Sequence, residues 1–439
     1  MKHVQQERAQ LSLASAILIN VNIMLGSGIF INNVTLARTA GPLSVVSYPL
    51  VGLLLIPLIA IFSLLLRYHE GATFYELGEV VHPVLGFVSS WGYFIGKLAS
   101  CALSIHVSVS TAQLLLPALE AYSTLVIDLL VLGIFLLLNL YNIKTERPIQ
   151  YLFVSLKSIP VLIVIGAAIA LFNPSNLAAA TGPASALLSA VPLVLFGFAG
   201  FEASCSLSKN IRNPSRNGPL AIIISFGIVL VAMSLFQLGL FAALGPELAT
   251  YGSFQLSIQT LISRCFTLAF LQKTVLAAAF VGIASSALGA SYSILYSNVW
   301  NLHTLAGYHV IPWANRLRRC NRFAAPSACI VIASAIVATY LLLSRGNNLP
   351  LQQVSAAATT TTYSISVLSF LFLSFGTIRR HRLLATLGVC SCALFIVTAF
   401  VNAYSFGAIP YALFGLVVAV GLSMRTICTR SGRCKVPEQ

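Results

Sequence analysis

Charged residues are scarce in this chain. They make up 8% of its 439 residues, whereas soluble globular domains carry about 25%. So few charges do not cover the surface of a water-soluble protein of this length, which excludes that class. The hydrophobic share of 58% and the mean hydropathy of +0.91 predict an all-α polytopic membrane protein instead.

Sequence patterns typical of several other protein classes are missing. The nine cysteines contain no CxxC pair, so we expect no metal site. There is no Gly-x-Ser-x-Gly motif, and His69-Glu70 lacks the second histidine of a zinc motif. We therefore expect neither an enzyme nor a cofactor. The net charge of +15 comes from basic residues in short gaps between apolar runs, a pattern that argues against a nucleic-acid partner.

Long apolar runs recur along the whole sequence. A membrane-spanning helix needs about 20 mostly apolar residues, and twelve stretches meet this requirement, of which the third and eighth are unusually long. The predicted spans are residues 11–36, 43–66, 84–116, 124–141, 149–172, 185–207, 218–244, 273–302, 325–344, 352–375, 383–403 and 406–425.

Basic residues are distributed unequally between the two sides of these spans. If the N-terminus is cytoplasmic, 19 of the 25 Lys and Arg residues lie in cytoplasmic segments and four lie outside. The positive-inside rule then predicts that both termini lie in the cytoplasm, and we expect an integral protein of the plasma (inner) membrane. We interpret the first apolar run as an uncleaved helix, since eleven further spans follow it. The bilayer and a homodimer are the expected partners besides a substrate.

Two spans carry glycines at their centres. Gly26 and Gly28 interrupt the first span, and Gly197 and Gly200 interrupt the sixth, although glycine destabilises a helix by about 1 kcal/mol relative to alanine. Gly-interrupted spans in corresponding positions indicate the binding site of a transporter. The start of a half-helix offers N–H groups to a carboxylate, and the end of another offers carbonyls to an ammonium. Close helix packing is the alternative explanation of such glycines.

Four motifs together resemble the amino acid–polyamine–organocation (APC) permeases, and in particular their bacterial amino acid permease and antiporter branch. The motifs are Gly-Ser-Gly-Ile-Phe at 26–30, Gly-Ala-Thr-Phe-Tyr at 71–75, Phe-Ala-Gly-Phe-Glu-Ala at 198–203 and an Asn-Pro-x-Arg-Asn-x-Pro-like stretch within 209–221. The resemblance implies 12 transmembrane helices in a leucine-transporter-type 5+5 inverted repeat plus two C-terminal helices. Residues 1–180 would form the first repeat, residues 181–380 the second, and residues 381–439 the last two spans and the tail.

The resemblance also implies a function and a binding site. The chain would be a secondary active amino acid transporter, a sodium-independent permease or antiporter that works by alternating access. Phe196 or Phe198 would cover the substrate. The predicted substrate-binding residues are Ile23, Gly26, Ser27, Gly28, Ile29, Phe196, Phe198 and Ala199.

Three ionisable residues lie inside predicted spans, where burial is costly and such groups are functional candidates. Glu202 is either a structural carboxylate paired with a backbone N–H or a lysine, or a proton-sensitive gate whose Glu202→Gln variant flattens the pH dependence of transport. Lys157 is either ion-paired or, as the resemblance implies, takes the place of a sodium ion. Lys97, with Ser291 and Thr361, is a candidate for the side-chain pocket.

Two alternatives to an amino acid permease remain at this point. A cationic amino acid or polyamine exchanger, of the arginine–agmatine type, is the first. Lys97 weighs against it, and so does Phe196, because resemblance to that branch implies a tryptophan at this position. The second is a membrane sensor or subunit that does not transport.

Overall fold

The computed structural model describes residues 11–68, 73–141, 147–178, 184–206, 211–376 and 381–430, and the regular elements in these ranges are helices. In chain order they are α1 (Leu13–Met24), α2 (Gly28–Ala40), α3 (Ser44–Tyr68), α4 (Phe74–Glu79), α5 (Pro83–Leu115), α6 (Thr124–Leu140), α7 (Arg147–Ala170), α8 (Ser175–Ala178), α9 (Ala184–Phe198), α10 (Ala203–Ser206), α11 (Pro214–Leu244), α12 (Phe254–Cys265), α13 (Ala269–Gly307), α14 (Ala314–Leu317), α15 (Ser327–Ser344), α16 (Asn348–Gly376), α17 (Arg382–Phe406) and α18 (Ile409–Arg430).

Many of these helices have the length and composition of membrane spans. Within the described ranges, nine helical stretches qualify, and the first of them runs through α1, α2 and α3. Two shorter apolar helices, Thr124–Leu140 and Ser185–Phe198, add to these. The third and eighth predicted spans correspond to α5, with 33 residues, and α13, with 39 residues. Their predicted length is confirmed.

The helix α5 lies at the centre of the packing. It contacts α13, α16, α15, α6 and α18, while α1 packs against α11, α13 and α7. Of the long helices, α5 and α16 are among the most buried, and α18 is the least buried. Outer helices present apolar side chains such as Leu416 and Ile427, which are exposed in the isolated chain. This is the arrangement expected of a bundle surrounded by lipid.

A short backbone contact joins the start of α1 to the segment before α11. Leu11 and Ile211 form an isolated parallel bridge, and the Arg212 N–H donates to the Leu11 carbonyl at 2.9 Å. Ser12 caps α1 by accepting from the Ser15 N–H at 3.2 Å. Residues 71, 72, 209 and 210, which belong to two of the motifs above, lie outside the described residues.

Candidate functional site

The first predicted break is present in the structure. α1 ends at Met24 and α2 begins at Gly28, so Leu25, Gly26 and Ser27 connect the two helices. The Ser27 carbonyl accepts from the N–H groups of Phe30 and Ile31, at 3.0 and 3.1 Å. The first N–H groups of a helix have no partner within it. The start of α2 therefore presents N–H donors and the positive end of a helix dipole to the connection.

The second predicted break is also present. α9 ends at Phe198 and α10 begins at Ala203. The Ala199 N–H donates to the Leu195 carbonyl at 3.0 Å. The last carbonyls of a helix lack partners in the regular pattern of helical hydrogen bonds, so the end of α9 offers acceptors. Gly200 adopts a φ of 148°, a conformation that favours glycine. A Cβ on Gly200 would lie 2.6 Å from Ile23 Cγ2, so the two breaks are in contact with each other.

A small cavity lies where the two breaks meet. Its lining includes seven of the predicted site residues, namely Ile23, Gly26, Ser27, Gly28, Lys97, Phe196 and Ala199. Four further residues that sequence reasoning missed complete the lining: Met24, Ser100, Ser104 and Ile294. Ser100 and Ser104 follow Lys97 by three and seven positions, so helical periodicity places all three on one face of α5. That spacing was the signal available in the sequence.

Phe196 and Phe198, the two aromatic candidates for covering the substrate, are placed differently. Phe196 lines the cavity. Phe198 is fully buried and packs against Tyr48 and Phe226, with ring centroids 5.8 and 5.4 Å apart. Ile29 is also buried and does not line the cavity. Of the two rings, only Phe196 is positioned to contact a molecule in the cavity.

Ser291 and Thr361, predicted for the side-chain pocket, do not line the cavity. Their hydroxyls donate to carbonyls of their own helices, Ser291 to Leu288 at 2.9 Å and Thr361 to Ala357 at 2.8 Å. The helix α13 contributes Ile294 instead, one turn further along. Contact of Ser291 or Thr361 with a substrate side chain therefore stays a prediction that the cavity lining does not support.

Gly26 and Gly28 both line the cavity but have different neighbours. A Cβ on Gly28 would lie 3.0 Å from Gly197 Cα and 3.3 Å from the Phe196 ring. On Gly26 it would lie 2.8 Å from the Ala290 side chain of α13. Gly28 thus permits the close approach of the two broken helices, whereas Gly26 permits the packing of α13. Close packing therefore fits both glycines, and Gly28 lies in addition where the two breaks meet.

Glu202 forms a buried ion pair at the end of the second break. Lys97 Nζ lies 2.8 Å from Glu202 Oε1, and both side chains are at most 4% exposed. Glu202 Oε2 accepts from the Gly200 N–H at 2.7 Å and from the Tyr363 hydroxyl at 2.8 Å. Glu202 therefore has the partners expected of a structural carboxylate, a lysine and a backbone N–H, and it joins α5 and α16 to the break.

Lys157 occupies a separate buried position on α7. Its side chain is 1% exposed, and its ammonium donates to the carbonyls of Asn22 and Leu25 at 3.0 and 2.9 Å. The Ser286 hydroxyl also donates to the Leu25 carbonyl, at 2.7 Å. Cations are favourable at the C-terminal end of a helix, which here is the end of α1. Lys157 is thus bound to carbonyls and does not extend to the membrane surface.

The chain is similar to known amino acid permeases and transporters. The sequence model of the amino acid permease family matches residues 11–423. An uncharacterized transporter of Mycobacterium tuberculosis is 24% identical over 97% of this chain and 93% of its own length. A branched-chain amino acid permease of Bacillus subtilis is 28% identical over 47% of this chain and 49% of its own. An aspartate–proton symporter of that bacterium is 24% identical over 55% and 49%.

Proposed function

Because this chain belongs to the amino acid permease family, we propose that it moves amino acids as a sodium-independent permease or antiporter by alternating access. Membership of that family, together with the long apolar helices, makes the chain an integral membrane amino acid transporter rather than an enzyme. The observation that carries the proposal is a single cavity lined by both helix breaks. A carrier needs such a site between elements that can rearrange.

The substrate's α-carboxylate binds the N–H groups at the start of α2, around Ser27–Ile29. Its α-ammonium binds carbonyls at the end of α9, around Phe196–Ala199, and the Phe196 ring covers it. This orientation is supported because the start of α2 offers N–H donors and the end of α9 offers carbonyls. The Asn22 and Leu25 carbonyls of the first break are already bound by Lys157. The zwitterionic backbone of an amino acid has the complementary pair of charges.

We extend the proposal to the topology. The twelve spans form two inverted repeats, within residues 1–180 and 181–380, and residues 381–439 add two further spans. Both termini lie in the cytoplasm of a plasma (inner) membrane. The two breaks, in the first and sixth of these spans, support the repeat because they occupy corresponding positions in its halves.

The cationic amino acid exchanger is the weaker alternative. Among the described residues that line the cavity, the charged side chain is that of Lys97, and no carboxylate is present. A cationic substrate side chain would be buried there beside an ammonium and without a partner of its own, which is unfavourable.

Counterflow into proteoliposomes tests the proposed function. Vesicles are loaded with one unlabelled amino acid at a time, and uptake of the same labelled amino acid is followed with and without a pH gradient. Accumulation of label with at least one amino acid is expected. Acceleration by an inwardly directed proton gradient would assign proton symport, and exchange without net uptake would assign antiport. Absence of counterflow with every amino acid would contradict transport and favour the sensor or subunit.

Transport should not require sodium, because the Lys157 ammonium occupies the carbonyls at the end of α1. Replacing sodium by choline on both sides should leave the counterflow rate unchanged. The variant Lys157→Met, which leaves these carbonyls without their donor, should lower it. Lys273→Met, at an exposed position of α13, is the matched control and should not. Loss of transport in choline would show that Lys157 does not replace a cation.

A further inference from the structure

Lys97 has hydrogen-bonding capacity that the fold does not use. Its ammonium carries three N–H donors, and its side chain is 4% exposed. Within the described part of the chain, the oxygen that lies at ion-pair distance from this ammonium is Glu202 Oε1, at 2.8 Å. Lys97 Nζ also lies over the Tyr93 ring, 5.4 Å from the ring centroid. At least two donors therefore remain for a molecule in the cavity that Lys97 lines.

Serine hydroxyls extend this polar surface along α5. The Ser104 hydroxyl lies 3.1 Å from that of Ser27, and the Ser100 hydroxyl lies 2.6 Å from that of Ser355. Each pair uses one hydroxyl hydrogen, so the second hydrogen of each pair is available for another acceptor. Lys97, Ser100 and Ser104 together present donors on one wall of the cavity.

The charge of this wall is balanced before a substrate binds. Lys97 and Glu202 form a pair without net charge. An acidic or basic substrate side chain would therefore be buried without a counter-charge, which is costly. A purely aliphatic side chain would leave the donors of Lys97 without an acceptor once water is excluded, which also carries a penalty.

We propose that the substrates are small uncharged polar amino acids, with a hydroxyl or carboxamide side chain, and that Lys97 determines this specificity. The proposal rests on the proposed amino acid transport, and it concerns the side chain of the substrate. The substrate oxygen accepts a hydrogen bond from Lys97 Nζ while Glu202 retains the ion pair.

Two pairs of substrates of nearly equal shape give the test. Threonine and valine differ by a hydroxyl in place of a methyl group, and asparagine and aspartate differ in charge. In counterflow, threonine should be preferred over valine, and asparagine over aspartate, by about tenfold or more, as expected for a hydrogen bond to a charged group. A preference for valine or aspartate would overturn the proposed substrate class while leaving amino acid transport intact.

The variant Lys97→Met/Glu202→Gln removes both charges together and tests the role of Lys97. The threonine-to-valine ratio should fall to near one, and a ratio unaltered from that of the wild type would show that Lys97 does not determine specificity. The ratio is insensitive to the amount of folded protein. If the double variant does not transport, Ser104→Ala provides the test, because it should lower the threonine-to-valine ratio. An unchanged ratio in Ser104→Ala would contradict the proposal that Lys97, Ser100 and Ser104 donate to the substrate. Lys273→Met should keep the wild-type ratio.

Discussion

Replacing Glu202 by glutamine is expected to destabilise the folded protein by about 3–5 kcal/mol, because it leaves the Lys97 ammonium buried without its counter-charge. The basis is the ion pair at 2.8 Å between side chains that are almost completely buried. Thermal unfolding in detergent, followed by the fraction of monodisperse protein that remains after heating, should show a marked decrease in the midpoint.

The double variant Lys97→Met/Glu202→Gln is the matched control. Replacing a buried ion pair by neutral groups is often tolerated, whereas removing one partner is not. The double variant should therefore recover most of the stability lost in Glu202→Gln. A Glu202→Gln protein as stable as the wild type, with an active but flattened pH profile, would instead support the hypothesis of a proton-sensitive gate.

Gly28→Leu is expected to reduce transport to background while the protein remains inserted and folded. The side chain would begin 3.0 Å from Gly197 Cα and 3.3 Å from the Phe196 ring. It would therefore fill the space between the two breaks, where the substrate's carboxylate is proposed to bind. Counterflow in proteoliposomes measures the loss, and size-exclusion chromatography verifies the fold.

Two other glycines separate this effect from general damage. Gly227→Leu, on an exposed face of α11 where an added Cβ meets no atom within 4 Å, should transport normally. Gly26→Leu would press against Ala290 of α13 and should lower stability as well as transport, since overpacking a close helix contact costs about 1–3 kcal/mol. Normal counterflow by a well-folded Gly28→Leu protein would show that the first break does not belong to the substrate-binding site.

The helices and their interruptions were the part most readily predicted from sequence. Long apolar runs indicate the helices because each span must satisfy its backbone groups internally. Gly28 and Gly200 mark the interruptions because glycine is unfavourable in a continuous helix. Both features are local, so a short stretch of sequence is sufficient to predict a helix or its interruption.

The details of the candidate site depended on information that local patterns do not contain. Phe196 and Phe198 are two positions apart, so they point to nearly opposite sides of α9, and the sequence does not say which side faces the cavity. Ser291 is a polar residue of α13, yet its hydroxyl donates to a carbonyl of its own helix, and the apolar Ile294 lines the cavity. Which phenylalanine and which residue of α13 face the cavity depends on how the helices pack in three dimensions.

The pairing of Lys97 with Glu202 was the least predictable feature. The two residues lie 105 positions apart in the sequence, and each alone allowed several roles. Only the approach of α5 to the second break shows that they neutralise each other. Their proximity to Tyr363, another distant residue, depends on the same packing.

The neutrality of this pair has a consequence for energetics across the bilayer. An elementary charge that crosses the membrane potential changes its energy by about 2.3 kcal/mol per 100 mV. Lys97 and Glu202 form a pair without net charge, and the zwitterionic amino acid proposed to bind beside them is also neutral. Their joint displacement therefore moves little net charge, and voltage performs little work on that step.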